Sequence, residues 1–428
     1  MPRPAGMRVL HTAVALAAAS VAACGGGSPT SLVVAHVTKT LVVSAGSPQT
    51  VPAGNVVPIA PRVRAVDAAG QPVVGDTIVF RTITGGSVIT GETAITDANG
   101  FATLGSWTLG GCGGLQIVTA SRASGSGGVT AAQFMVTATG GPVFCIELRY
   151  IADADPDQKA ATEAAAARWN QILAGSTMST ELINESAPCA GSAAPAINQT
   201  VKSVLIFVDL RPIPPPGPGL VTLGQAGPCL IRDAGALPAV GMLKLNSTFL
   251  ASQPASFLND VVLHELAHVL GYGTIWGAPP IGVGVLQNPA PASSNPVFTG
   301  SAAVSKYIAA GGPPSATSVP VEACGSDGTV NGHWRETVFG AELMTGYING
   351  AFRPLSAVSI ASFKDIGYTV NFALADPYIL LGATCPGSGG ALVGSAIFAQ
   401  TPPTHPSETL LFPVGLVGGG KVTPIVRR

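Results

Sequence analysis

The stretch Leu263–Gly271, LHELAHVLG, constrains this chain more than any other. His264 and His268 stand four residues apart, so on an α-helix both imidazoles leave one face, one turn apart. That spacing suits two nitrogen ligands on one tetrahedral Zn²⁺. Glu265 points about 100° round the helix from His264. It is badly placed as a third ligand and well placed to take a proton from a water that the metal activates. Helix signals surround the motif. Ser256 offers a cap, Asn259 and Asp260 bring polar and acidic groups to the first turn, and Gly271 offers a stop. Val261, Val262, Leu263, Leu266, Val269 and Leu270 wrap most of the helix, which therefore lies inside a domain. The plain alternative is a buried amphipathic helix with two incidental histidines. The chain has 6 histidines in 428 residues, and two of them sit in this one turn.

HExxH is the arrangement of many metalloproteases. A catalytic zinc needs three protein ligands and one open position. In most metzincins a glycine three residues after the second histidine is followed, three residues later, by the third. Gly271 fits; position 274 is Thr. His333 and His405 remain as candidates. His333 lies in NGHWRETVFGAELMTG (331–346), which also holds Met344. HELAHVLG, a long insertion, then HWRE and ELMTG resembles the leishmanolysin family (peptidase family M8). There an insertion displaces the third histidine, and a methionine sits in a turn under the zinc. ARWNQIL (167–173), LGQAGPCLIR (223–232), GTIWG (273–277), NPVFTG (295–300) and IASFKDIGYTV (360–370) are similar to bacterial members.

This resemblance spans roughly 143–370 and implies a zinc metalloendopeptidase acting on protein or peptide substrates. By it, His264, His268 and His333 bind one Zn²⁺ per chain. Glu265 is general base and then general acid, and Met344 is an apolar floor that does not ligate. Tyr347 is left out of the site. Glu336 and Glu342 read as salt-bridge or surface groups, and His405 as solvated. Protozoan members carry a propeptide whose cysteine blocks the zinc; here an Ig-like segment stands in its place. Cys112, in a GGCGG loop, reads as a structural thiol or disulfide.

The rest of the chain frames this unit as multidomain: an N-terminal all-β Ig-like sandwich, then an α+β zincin/metzincin catalytic domain. Residues 1–23 read as a signal peptide, with Arg3 and Arg8 before the apolar run Val9–Ala23. Val21-Ala22-Ala23-Cys24 resembles a bacterial lipobox, which implies lipidation of Cys24, export, and anchorage at the cell envelope, at the outer membrane or cell surface. Ordinary cleavage near Ala23 is the alternative. A flexible tether runs over 24–32. Residues 33–140 alternate apolar and polar in short runs at Val63–Val66, Thr77–Thr82, Ala94–Thr96, Ala102–Leu109 and Gln116–Ala120, split by turn signals. VRAVDAAGQPVVGDTIVFRT and TDANGFATLGSWTLG are similar to the bacterial Ig-like repeats of invasin and intimin-type proteins, mostly spacers or adhesive stalks. Lone His36 reads as a surface residue.

Within 142–370 the signals are a strand at Phe144–Ile151, a helix capped by Asp155 with Pro156 first, and a buried strand at Ser203–Leu210. Ala239–Leu245 reads as an edge strand above the cleft. Residues 371–428 read as a β extension or a partly ordered tail. Without Cys24, six cysteines remain (Cys112, Cys145, Cys189, Cys229, Cys324 and Cys385), an even number that fits three disulfides in an exported chain. Cys189–Cys229 is the one pairing expected.

Charged residues are 10% of the chain, against ~25% in an average globular protein. A net charge of -1 supplies no basic field, so nucleic acid is not an expected partner. A monomer is expected. The competing functional reading is a surface adhesin or binding lipoprotein on an inert peptidase fold, in which Glu265 or a ligand would be expected to have been lost.

Overall fold

The computed structural model describes residues 38–84, 86–123, 129–214, 222–325, 328–346, 352–380 and 407–425. The signal segment, Cys24, the tether, His36, Tyr347, Cys385 and His405 lie outside the described residues. Among the described residues no helix is long and apolar enough to cross a membrane.

Between residues 40 and 139, period-two alternation becomes a three-stranded and a five-stranded sheet, with a further two-stranded sheet of Val88–Thr90 and Ser106–Thr108. In Ala132–Thr139 every second side chain is buried. The three-stranded sheet orders Thr40–Ala45, Arg62–Val66 and Phe101–Thr103. The five-stranded sheet orders Gln49–Pro52, Ala132–Thr139, Gly114–Arg122, Thr77–Thr82 and Thr93–Ile95. Val63, Ile78, Phe80, Trp107, Val118 and Phe134 belong to one shared core. Two turns use the same device. Asp67 Oδ1 accepts from the backbone N–H of Ala69 and Gln71, and Asp97 Oδ1 from those of Asn99 and Phe101.

The run Ala102–Leu109, read above as one strand, is two: Phe101–Thr103 and Ser106–Thr108, in different sheets. Burial parity gives the reason. Ala102 and Leu104 are buried, and so are Trp107 and Leu109. The inward parity changes across Gly105, and a single strand cannot do that.

Several links, among them a disulfide and two hydrogen bonds, tie this β region to the chain beyond residue 140. Cys112 and Cys145 form a disulfide. Tyr150 N–H donates to Ile83 O at 3.1 Å, and Gly86 N–H donates to Glu163 Oε1 at 3.1 Å.

From residue 146 onward a seven-stranded sheet organises the chain. Ile146–Tyr150, Val204–Asp209, Pro238–Leu245 and Thr222–Arg232 lie side by side in that order. The first three run parallel, and Thr222–Arg232 runs antiparallel to Pro238–Leu245. Ala239–Leu245 is thus interior rather than an edge. Thr222–Arg232, quoted above only for its LGQAGPCLIR resemblance, lies on the far side of Ala239–Leu245, between it and the strands near the C-terminal end. Its glycines and proline hide the strand signal, since both are poor strand formers. The segment beyond 371 adds strands Ser407–Leu410, Gly415–Gly418 and Lys421–Pro424 to this same sheet, which favours the β reading for that part.

One face of the sheet takes two helices. Pro156–Ile172 starts as read, with the Asp155 side chain accepting from the N–H of Asp157 and Gln158. Ala255–Val269 packs beside it in the same core cluster. A hairpin of Glu181–Glu185 and Ile197–Val201, not anticipated from the sequence, contributes Ile183, Ile197 and Val201 to a second cluster. That cluster also holds Leu205, Phe207 and Met242 from the sheet. The Cys189–Cys229 disulfide joins the loop of this hairpin to Thr222–Arg232, as expected. Cys324 is exposed and bonded to no described cysteine.

Trp169 joins the two helices. It is fully buried, its Nε1 donates to Leu263 O at 3.0 Å, and its ring lies 4.7 Å from Phe363. Trp169→Ala should therefore cost about 3–5 kcal/mol of stability, read as a lower urea midpoint. Loss of less than ~1 kcal/mol would mean the helix pair does not depend on it.

Candidate metal centre

The helix Ala255–Val269 carries His264 and His268. Its start differs from the sequence reading. Pro254 is the cap position, no side chain caps it, and Ser256 is already inside the first turn. Proline's fixed φ suits a helix entry, so a serine cap is not required. The other end is held tightly. Gly271 has φ +111°. Thr274 Oγ1 donates to His268 O at 2.8 Å, and Tyr368 Oη donates to Leu270 O at 3.0 Å. Position 274, where a compact metzincin would have a ligand, here caps an end carbonyl instead.

Three imidazoles converge. The Nε2 atoms of His264, His268 and His333 lie 3.0–3.1 Å from one another. The three residues form the candidate metal cluster among the described residues. Each Nδ1 faces a backbone carbonyl: His264 that of Leu343 at 2.7 Å, His268 that of Tyr272 at 2.9 Å, and His333 that of Thr329 at 3.0 Å. A carbonyl only accepts, so each Nδ1 carries the proton and each Nε2 presents a lone pair. Three lone pairs aimed at one point repel unless a cation sits among them. The donor set therefore fits zinc, which binds neutral imidazole nitrogen.

His333 arrives from a long insertion, and its route is visible. A Cβ at Gly273, which has φ +71°, would lie 2.3 Å from Gly332 O, so only glycine lets these two backbones touch. That contact sets the residue before His333 against the end of the HExxH helix. Tyr272, Trp276, Phe298 and Trp334 pack as an aromatic block beneath it, with neighbouring ring centroids 4.5–5.5 Å apart.

Met344 is fully buried, and its carbonyl accepts from Trp334 N–H at 3.0 Å. Glu342 departs from its reading as a salt-bridge or surface group: it is 1% exposed. Its carboxylate accepts from the N–H of Met344, the N–H of Ser356 and the hydroxyl of Ser359. Ser359 Oγ in turn accepts from Trp334 Nε1 at 2.9 Å. Burial raises the Glu342 carboxyl above the usual range, opposed by these hydrogen bonds. Burial also pushes the Tyr272 phenol well above its ordinary value, and the Glu342 charge adds to the effect. Glu342 stands among apolar neighbours (Phe339, Ala341, Leu343 and Met344), but its donors Ser356 and Ser359 are remote in the chain, which is why its place was missed. Glu336 is half-buried at the start of the short helix Glu336–Phe339.

Glu265 is 2% exposed. A Cβ at Gly224 would lie 2.5 Å from Glu265 Oε1. The strand Thr222–Arg232 therefore closes directly over the glutamate, and a side chain at 224 would have to push the Glu265 carboxylate aside. Sequence reasoning had no means of pairing Gly224 with Glu265, because strand and helix are remote in the chain.

Two of the three converging histidines stand on one helix with a glutamate between them, the HExxH arrangement of many metalloproteases. The comparisons agree. Residues 193–385 match the family model for leishmanolysin. The leishmanolysin homolog of Crithidia fasciculata is 28% identical over 158 residues, covering 36% of this chain and 23% of that protein. The match thus spans under a quarter of the relative's length. Among solved structures, the D00-D0 domain of intimin is 16% identical over 23% of this chain and 46% of its own, with a TM-score of 0.17. The Yersinia pseudotuberculosis adhesin InvE is 19% identical over 23% of this chain and 31% of its own, with a TM-score of 0.18. Scores this low carry no argument, and the case for the N-terminal sandwich rests on its own sheets and core.

Two variants probe the supports. Glu342→Gln sets an amide N–H₂ against N–H donors on one side or the other. It should weaken zinc binding about 10–100-fold by loosening the Leu343 carbonyl that holds His264. Unchanged affinity in a chelator competition would refute that link. Gly224→Ala should leave zinc content unchanged while displacing Glu265, with kcat falling at least ~100-fold.

Proposed function

We propose that this chain is a zinc metalloendopeptidase that hydrolyses peptide bonds in protein substrates. The observation that carries this reading is the set of three Nε2 atoms converging while every Nδ1 is committed to a carbonyl. His264, His268 and His333 would hold the metal. Zinc, when bound, supplies a Lewis acid that polarises the scissile carbonyl and lowers the pKa of water.

Glu265 is the group of this chain that moves the proton. It takes the proton of the water that attacks the carbonyl carbon, and then gives it to the nitrogen of the leaving amine as the C–N bond breaks. Its burial beneath Gly224 excludes bulk water and strengthens its interaction with the reacting atoms. Met344, Glu342 and the aromatic block position the ligands and touch no reacting atom.

Export, lipidation at Cys24 and a place at the cell envelope complete the proposal, supported by the arginine-flanked apolar segment that ends at Cys24. In this arrangement the N-terminal sandwich is a spacer holding the enzyme off the membrane.

Zinc content and cleavage of an unstructured protein such as casein test the reading. Wild type should carry one zinc and cleave in a chelator-sensitive way. Glu265→Gln should keep zinc and lose at least ~1,000-fold in kcat. His333→Ala should lose both. Stoichiometric zinc without cleavage in wild type would point to a latent enzyme or to the binding-lipoprotein alternative, and equal activity in Glu265→Gln would sink the mechanism.

A further inference from the structure

We infer that residues 407–412 of this chain occupy its own substrate cleft and hold the proposed peptidase latent. The inference rests on the peptidase reading above and concerns regulation of the same site.

An extended peptide carries unpaired N–H and C=O groups and binds most readily by adding to a free strand edge. The edge nearest Glu265 belongs to Thr222–Arg232, through Gly224. That edge is already taken. Ser407–Leu410 pairs with it in parallel, with Gly224 opposite Glu408, Gln225 opposite Thr409 and Ala226 opposite Leu410. Leu411 N–H then donates to Ala226 O at 2.8 Å.

The same few residues reach the opposite wall. A Cβ at Gly332, the neighbour of His333, would lie 2.5 Å from Leu410 Cδ1. Leu410 and Phe412 help line a cavity of about 510 Å³ together with Gly273, Thr274 and Val330. The segment therefore spans from the strand over the general base to the loop bearing the third histidine. Burial agrees: His268 and His333 are 0% exposed and Glu265 is 2% exposed. Of these groups and His264, only His264 is half-buried, so the approach left to a scissile carbonyl is narrow.

The hairpin beyond this segment is built differently. Val417 is fully buried in the cluster that includes Leu230 and Met242. Gly415–Pro424 is thus an anchor, while Phe412 remains 37% exposed at the cleft. Displacing 407–412 opens the cleft without unfolding the sheet.

The double variant Leu410→Ala, Leu411→Pro tests this. It removes the side chain at Gly332 and the N–H donated to Ala226, and leaves the anchor intact. The zinc-loaded full chain and the variant are compared for binding of a non-cleavable peptide hydroxamate and for kcat/KM on a short peptide. If the segment fills the cleft nine-tenths of the time, the variant binds the hydroxamate about tenfold more tightly. A synthetic peptide of residues 405–414 added to the variant should reverse that gain. Equal hydroxamate affinity in both proteins, with the variant folded by circular dichroism, overturns the inference. Tighter binding by the variant without cleavage by either protein supports the plug and refutes the peptidase reading. No hydroxamate binding by either refutes both.

Discussion

Three imidazole lone pairs aimed at one point are the constraint on which the rest of this structure depends. Left alone they repel, so the fold must hold them there, and it does so from three separate places. The turn before Met344 fixes His264, the helix end fixes His268, and the loop at Thr329 fixes His333. Each uses a backbone carbonyl, which no substitution at that residue removes directly. The side chains around the centre therefore serve to keep backbone in place: Glu342 for the methionine turn, Thr274 and Tyr368 for the helix end, Gly273 for the returning insertion. Stability of the domain and competence of the metal centre share the same contacts.

Much of this was legible in the sequence because local rules apply locally. The spacing of His264 and His268 is a helical statement, and so is the cap Asp155-Pro156. The pairing of Cys189 with Cys229 came from their place in one subdomain. His333 became a candidate through resemblance, since nothing in the spacing of 65 residues from His268 says that the two meet. What stayed hidden was of another kind. Gly224 over Glu265, Gly273 against Gly332 and Glu342 within a cage of donors are meetings of remote segments, and small or polar residues give no periodic signal for them. The misreading of Ala239–Leu245 as an edge has the same origin. The strand beside it, Thr222–Arg232, is glycine-rich, so its pattern is faint and does not read as a strand.

The Thr222–Arg232 strand concentrates several tasks. It supplies the glycine over Glu265, anchors one end of a disulfide, and offers its outer edge to the strands Ser407–Leu410 and Gly415–Gly418. A strand with so little side chain near the site is suited to close approach from both sides. The same property exposes its backbone groups, and an unpaired edge beside the metal centre invites non-specific strand addition. Pairing it within the chain covers that liability.

The bond between Cys112 and Cys145 has a mechanical consequence. Chain connectivity alone would pass any pull on the sandwich through the short stretch before the first strand of the large sheet. The disulfide, with the Tyr150–Ile83 hydrogen bond and the Arg81–Asp153 ion pair beside it, opens a second load path into that strand. Force applied to one body is then shared as shear across several bonds instead of peeling one strand from its neighbour. An oxidising compartment keeps that coupling rigid, and a reducing one would leave the two bodies joined by a single thread and weak contacts.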